Sequence, residues 1–227
     1  INSNPNASDI EKLHINARTQ SEQDYFAQAL SSMGEQSNAR KIAKGAINEP
    51  DIVQEIIALN PDLLICYGSS LIKSELLSRF EGKFINVHLG LSPYYRGAGT
   101  KVCPLINGEP DMVGATFMYI DEGIDTGKII HQIRADVFLG DSPHSIGNRL
   151  ITKMTKSYID LILSFDQLAD EKQPQSDGKL YLQKHFDKHA CRKLYDQFAD
   201  GMIENYILKT DQNTLPYIVR NQGMSSS

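Results

Sequence analysis

The sequence predicts an α/β fold: a doubly wound, mostly parallel sheet with an antiparallel extension and a small, mainly helical C-terminal appendage. Three features point there. Helix-patterned and strand-patterned segments alternate through residues 48–90, two strand-like runs flank a glycine-containing loop around residue 124, and a long amphipathic helix follows them. Strand, helix and strand at this spacing imply a right-handed parallel crossover.

Taken in order, residues 1–9, INSNPNASD, are rich in Asn, Ser and Pro and read as loop. From Asp9 to about Met33 the pattern permits a helix but is weakly periodic. In INEPDIVQEIIALNPDLLICYGSS, Asn48 is placed to cap, Pro50 and Asp51 suit a first helical turn, and Ile52, Val53, Ile56 and Ile57 form one apolar stripe. NPD ends that helix. LLICYG then reads as a short strand apolar on both faces, the pattern of a buried parallel strand. LIKSELLSRF reads as helix and KFINVHLG as the next strand. VGATFMYID and KIIHQIRADV are strand-like on either side of EGIDTG. DSPHSIGNRLITKMTKSYIDLIL opens on a capping Ser142 and continues as a helix through Ile146, Leu150, Met154 and Ile162. ADEKQPQSDGK reads as a polar linker and the remainder as mainly helical, which divides the chain into a main domain over 1–170 and a linker with a small appendage over 171–227.

Composition narrows the function. With 41% hydrophobic residues the chain can bury a core of its own, and its apolar runs fall short of the ~18 residues that a membrane helix needs. No charged-then-apolar leader opens the sequence, so the expectation is a soluble, cytoplasmic protein without a membrane partner. A net charge of -5 provides no general basic field for a polyanion, which disfavours a nucleic-acid partner. Cys66, Cys103 and Cys191 form no CxxC pair and are odd in number, arguing against a zinc knuckle or a disulfide framework and for a reducing compartment. His185 and His189, with Cys191 nearby, have helical spacing, but an exposed amphipathic helix is the preferred reading over a zinc site. His131 and His144 have no identifiable partner in the sequence.

One strand breaks its own pattern. In FINVHLG, Ile85, Val87 and Leu89 share one face while Asn86 and His88 share the other, inside an otherwise apolar run. A polar pair there is either satisfied by neighbouring backbone or marks a functional site near the carboxyl end of the strand. The following GLSPYYRGAG supplies chain-bending residues at Gly90, Pro93, Gly97 and Gly99, two tyrosines, and Arg96, whose fork suits a carboxylate or phosphate or an ordinary surface ion pair. In YIDEGIDTGKII, glycines on either side of Ile124-Asp125-Thr126 let a tight loop present Asp125, which alone would read as a turn residue.

Together these stretches resemble the folate-dependent formyltransferase family. Asn-x-His at a strand end, followed by LSPYYRG and then GATFMYIDEGIDTGKII, is similar to the family's arrangement from about Gly45 to Leu163. The resemblance implies a Rossmann-like fold and a catalytic Asn86, His88 and Asp125. It implies that formyltetrahydrofolate serves as the formyl donor, with Tyr67, Gly68, Ser69, Asp121, Glu122 and Gly123 as its contacts, and that no metal is needed. Tyr94, Tyr95, Arg96 and Gly97 are the candidates for acceptor binding.

These residue types suit the implied chemistry. Formyl transfer to an amine passes through an oxyanion, for which Asn86 and His88 offer hydrogen-bond donors. Asp125 is expected to raise the pKa of His88, which then shuttles the amine proton.

Loop similarity points to a small-molecule amine, an amino sugar on a nucleotide carrier destined for surface polysaccharide, with room for a homodimer. Methionyl-tRNA, glycinamide ribonucleotide and simple hydrolysis of formyltetrahydrofolate are the alternatives, and outside enzymes, an inactive folate- or nucleotide-binding module. Two departures stand out. The family begins with an apolar strand, whereas this chain opens on INSNPNASD, so the N-terminal strand is expected to be missing from the sequence. Leu89 and Gly90 stand where many relatives have Pro and Ser.

Overall fold

The computed structural model describes residues 7–34, 37, 39–174, 176, 178–209 and 215–221, so most of the Asn-rich opening read as loop lies outside the described residues. Helices α1 (Asp9–Met33) and α2 (Pro50–Leu59) precede strand β1 (Leu64–Tyr67), helix α3 (Ser74–Arg79), strand β2 (Phe84–His88), strand β3 (Tyr95–Gly97) and helix α4 (Cys103–Asn107). Then come β4 (Gly114–Tyr119), β5 (Ile129–Arg134), α5 (Pro143–Leu163), β6 (Lys179–Tyr181), α6 (Lys188–Ala199) and α7 (Met202–Lys209).

The main sheet has the order β1-β2-β4-β5. β1 runs parallel to β2 across the crossover that contains α3, while β2–β4 and β4–β5 pair antiparallel. This is the α/β architecture with an antiparallel extension that the sequence implies. A second pair, β3 with β6, is parallel and lies over the end of β2's loop.

Side chains from the main sheet, α5 and the C-terminal helices fill one core. Ile85 and Val87 of β2, Ala115 and Phe117 of β4, and Ile146, Leu150 and Leu161 of α5 are buried together with Leu194 of α6 and Ile203 of α7. The Phe117 ring meets the Tyr158 ring of α5 edge-on at 5.3 Å. Ser142 caps α5 as expected, its hydroxyl accepting from the Ser145 N–H at 3.1 Å. No helix among the described residues is long and apolar enough to cross a membrane.

Four local expectations are corrected. Asn48 does not cap α2; its side chain instead bonds Leu71 O and Lys73 N–H, each at 2.8 Å, and extended Glu49 stands at the cap position. β1 is not buried on both faces: it is the edge of the sheet among the described residues, leaving Ile65 and Tyr67 46% and 53% exposed. His185 is not on a helix face with His189, because it sits in a 3₁₀ turn before α6, where its Nδ1 accepts from the Leu182 N–H. The polar linker is not free, since its end forms β6. His131 and His144 also acquire neighbours: His131 Nδ1 accepts from the Asn221 N–H at 3.0 Å, and His144 Nε2 lies 3.4 Å from the Tyr195 hydroxyl.

A buried polar cluster fixes the loop after β2. The Thr116 hydroxyl donates to Gly90 O (2.7 Å) and accepts from the Ser92 N–H (3.0 Å) and the Gln132 amide (2.9 Å). Gln132 also donates to Ser92 O and accepts from the Val219 N–H. The Ser92–Pro93 peptide is cis. Thr116→Val keeps the shape but orphans these buried groups, so it is expected to destabilise the fold by about 1–3 kcal/mol per unpaired group, measured by urea denaturation.

α1 is anchored by polar contacts, which explains its weak periodicity: His14 is the buried residue of the helix. His14 Nδ1 lies 3.1 Å from the Tyr195 hydroxyl and its ring centroid 4.9 Å from those of His144 and Phe186. Asn148 of α5 donates to Ser21 of α1. Burial pushes the His14 pKa down to about 4, with His144, Arg18 and Lys101 acting in the same direction, and His131 is likewise pushed to about 4 by burial and Arg220. Histidines whose folded pKa lies below the unfolded ~6.5 leave stability intact above pH 6.5 and remove it as pH falls toward 4. Urea midpoints are therefore expected to drop steeply between pH 7 and pH 5, and less so in His14→Gln; a flat profile would contradict this burial.

Candidate active site

β2 delivers Asn86 and His88 on one face, with His88 opposite Thr116 of β4 and Asn86 opposite Met118. Both line a cavity of about 820 Å³, within the range of about 300–1,000 Å³ typical of small-ligand sites. Its walls also carry Tyr67, Gly68 and Ser69 at the end of β1, Gly97–Lys101 from the end of β3 onward, and Asp121, Gly123 and Asp125 from the loop after β4.

The His88 ring, 7% exposed, is held at both nitrogens. Nδ1 lies 3.2 Å from Asp125 Oδ2 and Nε2 lies 2.9 Å from the Tyr95 carbonyl. A carbonyl only accepts, so Nε2 carries the proton in this arrangement. Nδ1 then faces the carboxylate, and the pair can take up one further proton between them. The Thr100 hydroxyl, which donates to Leu89 O at 2.7 Å, packs 3.3 Å from Nε2. Gly90 is required here: a Cβ would come 2.5 Å from His88 Nε2 and 2.6 Å from Tyr95 O. Burial lowers the His88 pKa, while Asp125 and the Tyr95 carbonyl raise it. The expectation of a raised value is corrected accordingly: Asp125 acts in the expected direction, but desolvation outweighs it.

Asp125 is placed by its own loop. Its backbone is left-handed (φ +54°), and Oδ2 also accepts from the Gly97 N–H at 2.8 Å. Asp121 ties the turn together, accepting from the Gly123 N–H and the Thr126 hydroxyl. Gly127 is necessary because a Cβ there would lie 1.8 Å from Tyr119 O.

The structure thus brings Asn86, His88 and Asp125 to one cavity, together with Tyr67, Gly68, Ser69, Asp121, Gly123 and Gly97. It does not bring the others there. Glu122 is exposed outside the cavity wall. Tyr94 and Arg96 lie off the wall, the Arg96 guanidinium reaching Gly178 O at 3.5 Å. Tyr95 turns into the protein, where its ring stacks on Tyr181 at 5.4 Å and its hydroxyl donates to Glu109 and accepts from Asn107. Pairing of β3 with β6 causes this, because it commits the YRG segment to a strand.

Sequence reasoning missed Lys101 and Leu180–Gln183, which line the same cavity. Lys101 is 18% exposed, its Nζ lies 3.8 Å from Glu22, and burial lowers its pKa. Only the apolar alternation of LYL after Gly178 hinted that the chain returns here as a strand. Among the described residues no group of three metal-ligating side chains comes together.

Residues 10–162 match the formyl transferase family. A methionyl-tRNA formyltransferase of Finegoldia magna is 34% identical over 121 residues, 49% of this chain and 38% of that protein. Another from Caldanaerobacter subterraneus is 30% identical, covering 63% of this chain and 43% of its own length. The chain thus spans less than half the length of these curated relatives. Among solved structures, a 4-N formyltransferase from Francisella tularensis is 25% identical with a TM-score of 0.54, covering 72% of this chain and 63% of that one. A sugar N-formyltransferase from a Shewanella species shares the fold at 21% identity, with a TM-score of 0.55 over 79% of this chain and 75% of its own. With a family match over residues 10–162, which include its main sheet and its Asn-x-His strand, this chain belongs to the formyl transferase family.

Proposed function

We propose that this chain transfers a formyl group from formyltetrahydrofolate to a primary amine, with an amino sugar on a nucleotide carrier as the acceptor. The observation that carries the reading is the His88–Asp125 contact at 3.2 Å, set in the wall of the cavity that Asn86 also lines.

The amine nitrogen attacks the formyl carbon, and the developing oxyanion is met by the Asn86 amide. His88, backed by Asp125, takes the proton that the amine must lose. Collapse breaks the bond to the folate nitrogen, which leaves with a proton, and an amide remains. In this reading the turns at Tyr67–Ser69 and Asp121–Gly123 hold the pterin, and no metal is required. The setting is the cytoplasm, consistent with the free thiols of Cys66, Cys103 and Cys191.

Lys101, a partly buried amine on the cavity wall, suits the phosphates of a nucleotide carrier, and the net charge of -5 suits a compact acceptor better than a large polyanion. Methionyl-tRNA is the second reading, favoured by the 34% identical relative. A panel of amines incubated with labelled formyltetrahydrofolate separates the two: amide formation with nucleotide-linked amino sugars is expected, formylated methionyl-tRNA would replace the first reading by the second, and free formate without an acceptor would indicate a hydrolase.

His88→Ala and Asn86→Ala are each expected to lower kcat by about 100-fold or more, by analogy with removal of an oxyanion-hole donor, measured on variants that remain folded. Near-normal turnover in His88→Ala would remove the assignment. Because burial depresses the His88 pKa, the acid limb of the pH–rate profile is expected below the ordinary histidine value of about 6.5.

A further inference from the structure

The residues after Asp170 read as a polar linker running into a helical appendage, yet they support both acceptors that hold His88. On the Asp125 side, the stretch begins with a reciprocal bridge: the Glu171 N–H donates to Ile129 O at 2.8 Å and the Ile129 N–H to Glu171 O at 2.7 Å. Two residues later the Gln173 amide donates from Nε2 to the backbone carbonyls of Asp125 (2.9 Å) and Gly127 (2.8 Å). The first of these bonds lands on a residue with a φ of +54°, uncommon for a side-chain-bearing residue, and such a conformation is held by its surroundings. Gln173 provides such a hold from outside the loop.

On the Tyr95 side, the same stretch returns as β6. The Lys179 N–H donates to Tyr94 O at 3.1 Å and the Ala98 N–H to Tyr181 O at 2.8 Å, flanking the residue whose carbonyl receives His88 Nε2. Two glycines permit the approach. A Cβ at Gly97 would come 2.2 Å from Tyr181 O, and one at Gly178 would come 1.9 Å from Pro93 O. Leu180 and Gln183 then contribute to the cavity wall itself.

We propose that residues 171–174 and 178–183 belong to the active site, and that Gln173 is a positioning residue which aims Asp125 at His88 through two backbone carbonyls. The proposal rests on the formyl-transfer reading for its effect on rate, but not for its effect on His88 itself.

A purely structural glutamine would lower stability and nothing else. Loss of Gln173 is instead expected to loosen Asp125 and so withdraw the influence that raises the His88 pKa. In the full chain, Gln173→Ala is expected to lower kcat by about ten-fold or more, since small misplacements of a catalytic group are costly, with KM for formyltetrahydrofolate nearly unchanged and the acid limb of the pH–rate profile moved to lower pH. Lys172→Ala, a neighbouring exposed position, serves as the control and is expected to behave as the parent.

The His88 titration followed by NMR in the resting protein is expected to shift downward in Gln173→Ala as well. That readout needs neither acceptor nor turnover, so it survives even where no formyl transfer is detected. Gln173→Met keeps the length of the side chain while removing its donor, and decides the matter if Gln173→Ala fails to fold. An unchanged His88 titration and an unmoved acid limb in a folded Gln173 variant, whatever the thermal stability, would overturn the proposal.

Discussion

A buried imidazole must find a partner for each of its two nitrogens, and the way His88 does so organises this molecule. Its ring is nearly closed off from solvent, so an unpaired nitrogen would be costly there. Tyr95 O meets one nitrogen and Asp125 the other. Neither acceptor lies in β2: Tyr95 opens β3 and Asp125 sits in the loop after β4, so two further pieces of chain must be brought to the end of β2 and kept there. Gly90, which leaves room for the ring, and Gly97, which donates its N–H to Asp125, are consequences of that requirement.

Packing beneath the site explains why the loops hold. β4 runs antiparallel to β2 with its whole length shielded from solvent up to Tyr119, Phe117 facing α5 while Thr116 faces the loop after His88. The Thr116–Gln132 cluster gives that loop a fixed seat by pairing the Ser92 N–H, Ser92 O and Gly90 O. On the other side of the cavity, the bridge at Glu171 and the β3–β6 pair bring in a stretch remote in sequence. Rigid strands below and anchored turns above are what a site needs if its donors are to be in place before charge develops.

Much of this was legible in the residues. Asn86 and His88 violated the apolar pattern of their strand on one face, and glycines around Ile124-Asp125-Thr126 announced a tight loop; the three side chains do meet at one cavity. The ends of α5 and its Ser142 cap followed from periodicity and capping chemistry. What escaped was tertiary. Nothing local in YYRG says that it will pair with a strand eighty-odd residues later, and that pairing turns Tyr95 inward against Tyr181. Gln173 looked like one polar residue among many, because its role depends on two carbonyls that only the fold places before it. The apolar run of β1 promised burial on both faces, whereas edge position among the described strands leaves Ile65 and Tyr67 open.

The account stands on the convergence of a carboxamide, an imidazole and a carboxylate at a cavity that admits the reactive arm of a folate. A crystal structure of the full chain with tetrahydrofolate tests it most directly. The account predicts the folate in the cavity, with the nitrogen that carries the formyl group within hydrogen-bonding reach of Asn86 and beside an intact His88–Asp125 pair. A folate seated elsewhere, or one in the cavity with that nitrogen remote from all three side chains, would contradict it.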